Sequence, residues 1–212
     1  MDWQGITGLI GAIAAFVALF LNFRQESYNR EKEYELRRKE EEDKAERAAL
    51  EVRAKQQRNE IKRASQVIFR ELNRLFNNTG ALRAYIVQPH PLDKAKFISV
   101  QYEVLAEGMT SVLEQVQRMP ISNVCGFVSE LSSRDYILWA TQQDVKDSRA
   151  RVMMHNFGTD RMAAARMMDD EVWVGNVVLD FDEGKTLEPA WLKEQMRQTA
   201  EIIKYKLPEI EE

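Results

Sequence analysis

Residues 3–23 form a run that is apolar apart from Gln4, Thr7 and Asn22, and from Arg24 onward the chain is densely charged. As a helix rising 1.5 Å per residue the run is about 32 Å long, enough for a hydrocarbon core of about 30 Å. The expectation is a transmembrane anchor over 1–23. A cleaved signal peptide would need a basic start and a small-residue exit, whereas the run begins with Met1-Asp2 and leaves through Phe20, Leu21, Asn22 and Phe23. Arg24, Arg30, Lys32, Arg37, Arg38 and Lys39 follow it and no basic residue precedes it. The positive-inside rule then puts the N-terminus outside and the rest in the cytoplasm, at a bacterial-type inner membrane. The bilayer is the first expected partner.

Within the run, Gly8, Ala12 and Ala15 stand at i, i+4 and i+7 with Gly11 beside them, a small-residue face on which membrane helices pack closely. Homo-oligomerisation is the expectation from that face; the bland alternative is that Gly and Ala are frequent in any membrane helix. Trp3 and Phe23, with Arg24, suit the two membrane interfaces.

The chain has one cysteine, Cys125, and two histidines among 212 residues. No intramolecular disulfide is possible, no zinc or iron-sulfur ligand set can be assembled, and neither a metal nor a cofactor is expected. Cys125, before Gly126, reads as a small buried apolar residue. Residues 24–63 carry 13 basic and 11 acidic side chains, residues 64–212 carry 17 and 22. The second balance, about −5, is not that of a nonspecific nucleic-acid binder.

Between 24 and 60 there is no Gly or Pro, and acidic residues stand four before basic ones: Glu26 with Arg30, Glu33 with Arg37, Glu35 with Lys39, Glu40 with Lys44, Asp43 with Arg47, Glu51 with Lys55. Such pairs add a few tenths of a kcal/mol each to a helix. The segment is expected to be a charged helical rod, either solvated or, through Ala45, Ala48, Ala49 and Val52, a coiled coil.

Residues 61–212 are expected to form an all-α cytosolic bundle of about five helices. Ile61, Ala64, Ile68, Leu72, Leu75 and Leu82 continue the rod until Pro89-His90-Pro91. Ile98, Tyr102, Leu105, Met109, Val112, Val116 and Met119 alternate steps of four and three, a core-facing helix pattern. Ser122 caps a helix with Val124, Val128 and Leu131, which continues or re-caps at Ser132-Ser133 ahead of Leu138 to Val152. A further helix spans 161 to about 179, and the β-looking run 172–181 that overlaps its end is also read as buried helix. Pro189 opens the last helix, with Leu192, Met196, Thr199 and Ile202 on its inner face.

Glycine-rich phosphate chemistry is excluded, since Glu183-Gly184-Lys185-Thr186 lacks the upstream glycine of a P-loop. Asp180, Asp182 and Glu188 do not have calcium-loop spacing. The remaining constellation is Arg149-Ala150-Arg151-Val152-Met153-Met154-His155. It resembles the Arg-x(4 to 6)-His signature of HEPN-type ribonucleases, and the same spacing recurs at Arg83 and His90. The resemblance, together with the one-span plan, extends to membrane-anchored HEPN-like accessory proteins of RNA-targeting CRISPR systems in antiviral defence. It implies Arg149, Arg151 and His155 as catalytic candidates, a metal-independent ribonuclease or an inactive relative, and RNA as partner. The alternative for His155 is an interior or interface histidine continuing the stripe from Leu138.

The primary expectation is therefore non-enzymatic: a single-pass, oligomeric membrane protein whose bundle scaffolds a cytosolic protein partner or perturbs the membrane. The HEPN-like reading is second, and a phage spanin-like protein of opposite topology third.

Overall fold

The computed structural model describes residues 3–92, 94–208 and 210. The chain divides into two units, Met1–Arg58 and Asn59–Glu212, and each is described by itself. Helix α1 runs over Trp3–Thr79; its residues up to Arg58 belong to the first unit and those from Asn59 on to the second. Residues 24–60 lie within this helix, and the Glu26 to Arg30 pair closes at 3.6 Å on an exposed face. Side chains of 1–23 lie outside the described residues, so the packing face Gly8, Gly11, Ala12 and Ala15 and the interface residues Trp3 and Phe23 do too; Arg24 is exposed. Among the described residues no helix is long and apolar enough to cross a membrane. That corrects the expected membrane anchor, its orientation, the inner-membrane location and the membrane-scaffold and spanin-like readings.

The second unit is not an all-α bundle. It is built on a six-stranded sheet of order β3-β2-β1-β6-β5-β4, with β1 at Arg83–His90, β2 at Phe97–Leu105, β3 at Met119–Pro120, β4 at Tyr136–Trp139, β5 at Arg161–Asp169 and β6 at Val172–Phe181. Every neighbouring pair is antiparallel. Helices α2 (Cys125–Ser133), α3 (Ser148–Asn156) and α4 (Pro189–Ile203) complete the unit.

Helix α1 ends where Gly80, at φ 61°, donates its N–H to the Phe76 carbonyl at 2.9 Å. A left-handed residue of this kind closes a helix, and glycine takes it without a Cβ penalty. The chain then enters β1, so the helix expected to reach Pro89 stops ten residues earlier. The expected helix over 161–179 is instead the β5–β6 hairpin, in which Asp169 pairs with Val172 across Asp170-Glu171. Gly175 fixes that hairpin beside β1: its φ is 150°, and a Cβ there would lie 2.6 Å from the Val87 carbonyl oxygen.

Both sheet faces are covered. Ile68, Leu72 and Leu75 of α1 and Leu192, Met196 and Ile203 of α4 pack on Ala84, Ile86, Ala163, Val177 and Leu179. On the other face Val112, Val116, Val128, Leu131, Ala150 and Met154 pack on Tyr85, Val87, Val100, Ala164 and Val178. Strand β1 is consequently buried at all eight positions. Helix α4 occupies the predicted span, with Leu192, Met196 and Thr199 buried. The stripe expected as a helix over 98–119 divides among β2, the loop 106–118 and Met119 at the start of β3.

Candidate functional site

The loop 106–118 crosses the second sheet face and is tied down by polar side chains. Glu103 of β2 accepts from Ser111 Oγ at 2.6 Å and from the Val112 N–H at 2.8 Å. Gln117 Nε2 donates to the Val100 carbonyl at 2.7 Å, and the Val100 N–H donates to the Val116 carbonyl at 2.9 Å. Asp147 fixes the opposite wall. One of its oxygens caps α3 by accepting from the Arg149 and Ala150 N–H groups, both at 3.1 Å, and the other accepts from Gly126 at the start of α2, at 3.1 Å. An aspartate cap satisfies amides that no helical carbonyl can reach; here one carboxylate joins two helices.

Between these walls and the sheet lies a cavity of about 50 Å³. Val87 and Val100 form its floor, Val116 and Met119 one side, Ala150 and Met154 of α3 the other. Its polar end is a buried network. Arg83 is 0 % exposed and Asp180 1 %, and antiparallel pairing places them opposite each other on β1 and β6. Arg83 Nη1 donates to Asp180 Oδ2 at 3.0 Å and to Thr159 Oγ1 at 3.1 Å, Nε donates to the Thr110 carbonyl at 2.9 Å, and Nη2 to the Phe157 carbonyl. Asp180 also accepts from Thr159 Oγ1 at 2.9 Å and from the Tyr85 hydroxyl at 3.2 Å.

A charge taken out of water favours its neutral form, while opposite charge and donated hydrogen bonds favour the charged form. Burial dominates at Asp180 and raises it to about 6, against the lowering influence of Arg83, Thr159 and Tyr85. The Tyr85 hydroxyl is raised well above its ordinary value, first by burial and then by the adjacent Asp180 carboxylate. The network is thus one fixed cation, one carboxylate poised near neutrality and two hydroxyl donors.

The sequence-derived catalytic candidates do not meet in this site. Arg149 and His155 are exposed on α3 and Arg151 is half-buried. His155 lines a separate polar cleft with Gln142, Asp160, Arg161 and Glu183, and neither arginine candidate lines it. Cys125 is exposed rather than buried. Among the described residues no group of three or more His, Cys, Asp or Glu is placed to hold a metal ion. Arg83, Asp180, Tyr85 and Thr159 were not singled out by sequence as a set, because their meeting depends on strand pairing across 97 positions.

No protein-family model matches the chain, and no curated protein matches it. Solved structures do. The blue-light absorbing form of the Thermosynechococcus elongatus PixJ GAF domain is 10% identical at a TM-score of 0.55, over 69% of this chain and 88% of that one. The GAF domain/HD domain protein from Geobacter sulfurreducens is 12% identical at 0.52, over 69% and 95%. The chromophore-binding domain of the bacteriophytochrome RpBphP3 from R. palustris is 12% identical at 0.54; 70% of this chain spans 59% of its length. The fold is GAF-like. This overturns the HEPN resemblance, with its ribonuclease, CRISPR and antiviral-defence implications, because that family is all-α and the matched architecture contains a sheet.

Proposed function

We propose that residues 59–212 act as a small-molecule sensor domain, and that the effector is small, largely apolar and received by the cavity between the sheet and α3. The observation that carries this reading is a void with valine, alanine and methionine walls that ends on the buried side chains of Tyr85, Thr159 and Asp180, which meet at the Asp180 carboxylate and are backed by Arg83. Protein interiors are close-packed and seldom keep such voids. A cavity of about 50 Å³ is about a third of the ~150 Å³ apolar cavity that admits benzene or xenon, and far below the ~300–1,000 Å³ of drug-sized ligand sites. An organic chromophore of that size does not fit these walls, so the chromophore binding named for the R. palustris domain is not assigned to this chain.

Occupancy reaches the rest of the unit through Arg83, which holds a carbonyl of the loop 106–118, the Phe157 carbonyl after α3 and the Asp180 carboxylate of β6. A guest that shifts either wall pulls on β1, whose other face carries Ala84 and Ile86 in the core formed with α1 and α4. The test is thermal unfolding of the full chain in xenon-saturated and helium-saturated buffer. Wild type is expected to unfold at higher temperature under xenon, and Ala150→Leu, which fills the void, to lose that response while remaining folded. Equal responses in both proteins, or none in wild type, would overturn the assignment.

A further inference from the structure

Which small molecule the sensor cavity takes is set by the hydrogen bonds that its polar end has left to make. Tyr85, Thr159 and Asp180 line the void there and Arg83 does not. The Tyr85 hydroxyl gives its proton to Asp180 Oδ1 at 3.2 Å, and Thr159 Oγ1 gives its own to Asp180 Oδ2 at 2.9 Å. A hydroxyl has one proton to donate and further lone pairs to accept with, and an ionised carboxylate only accepts. Both hydroxyl protons at this end are therefore committed, and what is left over is acceptor capacity. The Tyr85 oxygen receives no hydrogen bond among the described residues, and Asp180 Oδ1 receives the one from Tyr85. Tyr85 keeps 5 % of its surface accessible against 1 % for Asp180 and for Thr159, which makes it the polar side chain that a guest meets first.

The lining residues are all buried except Met119, Phe127 and Met153, so a guest reaches the void past two thioethers and a phenyl ring. An ion would shed its water at such a mouth, which costs far more than it does for a neutral hydroxyl. An aliphatic ammonium gains little in return, because Arg83 already neutralises Asp180 at 3.0 Å. A carboxylate, ketone or nitrile brings lone pairs to an end that offers lone pairs. Water donates but does not match the valine and methionine walls; a hydrocarbon matches the walls and leaves the acceptors without a donor. The volume of about 50 Å³ is roughly three to five times the ~10–15 Å³ that one water needs, room for about three heavy atoms.

Resting on the sensor reading, we infer that the effector is a short-chain aliphatic alcohol, its hydroxyl donating to the Tyr85 oxygen at the inner end and its alkyl group lying against Val87, Val100 and the methionines. The alcohol combines the two properties that the site asks for, a neutral donor and a small apolar body. In a site shielded from water a missing donor is not replaced by solvent, so guests of one size are ranked by whether they carry one.

Titration of the methionine ε-methyl-labelled full chain with ethanol and with acetonitrile, at about pH 8 where Asp180 is ionised, tests the ligand class by NMR. The two probes match in heavy atoms, and acetonitrile has no donor. Saturable shifts at Met119, Met153, Met154 and Met162 are expected with ethanol, at least tenfold tighter than with acetonitrile. Asp180→Asn offers an amide proton to the Tyr85 oxygen and frees the phenolic proton for the void, so the preference for ethanol should fall at least threefold; the wild-type comparison decides alone if that variant does not fold. Equal or tighter binding of acetonitrile, an unchanged preference in folded Asp180→Asn, or no saturable ethanol shift where xenon does shift these methyls would overturn the alcohol class and leave the sensor cavity standing. No response to xenon at the same methyls would overturn the cavity and the alcohol class with it.

Discussion

Replacing Arg83 by Met removes one of the least exposed charges in the protein and tests whether the polar end of the cavity is as dry as its geometry implies. The substitution keeps an unbranched side chain and deletes four hydrogen bonds, to Asp180, Thr159, the Thr110 carbonyl and the Phe157 carbonyl. Asp180, 1 % exposed, then keeps only the Thr159 and Tyr85 hydroxyls. Breaking a buried ion pair from one side costs about 3–5 kcal/mol, because the remaining charge is stranded. At roughly 2–4 °C per kcal/mol for a unit of this size, the melting temperature should fall by about 6–20 °C. Loss of the guanidinium also removes the main influence holding Asp180 ionised, so the deficit should shrink at pH 5, where the carboxyl takes a proton instead. Urea unfolding of wild type, Arg83→Met, Asp180→Leu and the double variant gives the coupling energy. The double variant is expected to be less destabilised than the sum of the singles by at least about 2 kcal/mol. A cost below about 1 kcal/mol for Arg83→Met, with no dependence on pH, would refute the reasoning by showing that water reaches the pair.

The Asp180 carboxyl should titrate near pH 6 by carbon NMR. Its folded pKa lies above the ordinary 3.8, so the stability it contributes is full below about pH 4 and is lost as pH rises through 6. That difference amounts to about 3 kcal/mol at 1.36 kcal/mol per pH unit; an Asp180→Asn variant lacking no part of the wild-type slope would contradict it. Gly175→Ala puts a Cβ 2.6 Å from the Val87 carbonyl at φ 150° and should cost about 2–4 kcal/mol in thermal unfolding, from overpacking and backbone strain together. Asp147→Ala should cost about 1–2 kcal/mol through the lost α3 cap and its link to α2, with faster amide exchange at Ala150 and Gly126. Leu72→Ala, at a fully buried position between α1 and the sheet, should cost about 2–5 kcal/mol.

Helix α4 was legible because one of its faces meets solvent: Leu192, Met196 and Thr199 recur at helical spacing against exposed Lys193, Glu194 and Arg197. The strands were not, because the sheet is covered on both sides and β1 and β6 lose the alternation that marks a half-buried strand. In β2 the alternation is present, Ile98, Val100, Tyr102 and Val104 against Ser99, Gln101 and Glu103. A competing four-and-three stripe through Tyr102, Leu105 and Met109 concealed it, and a bulge opposite Ile86-Val87 turns Ile98 and Val100 to one core and Tyr102 and Val104 to the other. The run 172–181 showed β-branched enrichment, and only its tertiary setting beside β1 decides between buried strand and buried helix. Of the site, the valines and methionines were recognisable as core. The Arg83–Asp180 pair was not, since nothing local distinguishes a buried arginine on a strand from an exposed one on a helix.

The ε-methyl NMR spectrum of carbon-13 methionine-labelled full chain under xenon tests the sensor cavity most directly. Met119, Met153, Met154 and Met162 line it, whereas Met196 and Met167 are buried in the core on the opposite sheet face. Saturable shifts at the four lining methyls, with Met196 and Met167 unmoved, are the expected result. Shifts confined to Met196 and Met167, or no saturable shift at any of the four, would contradict it.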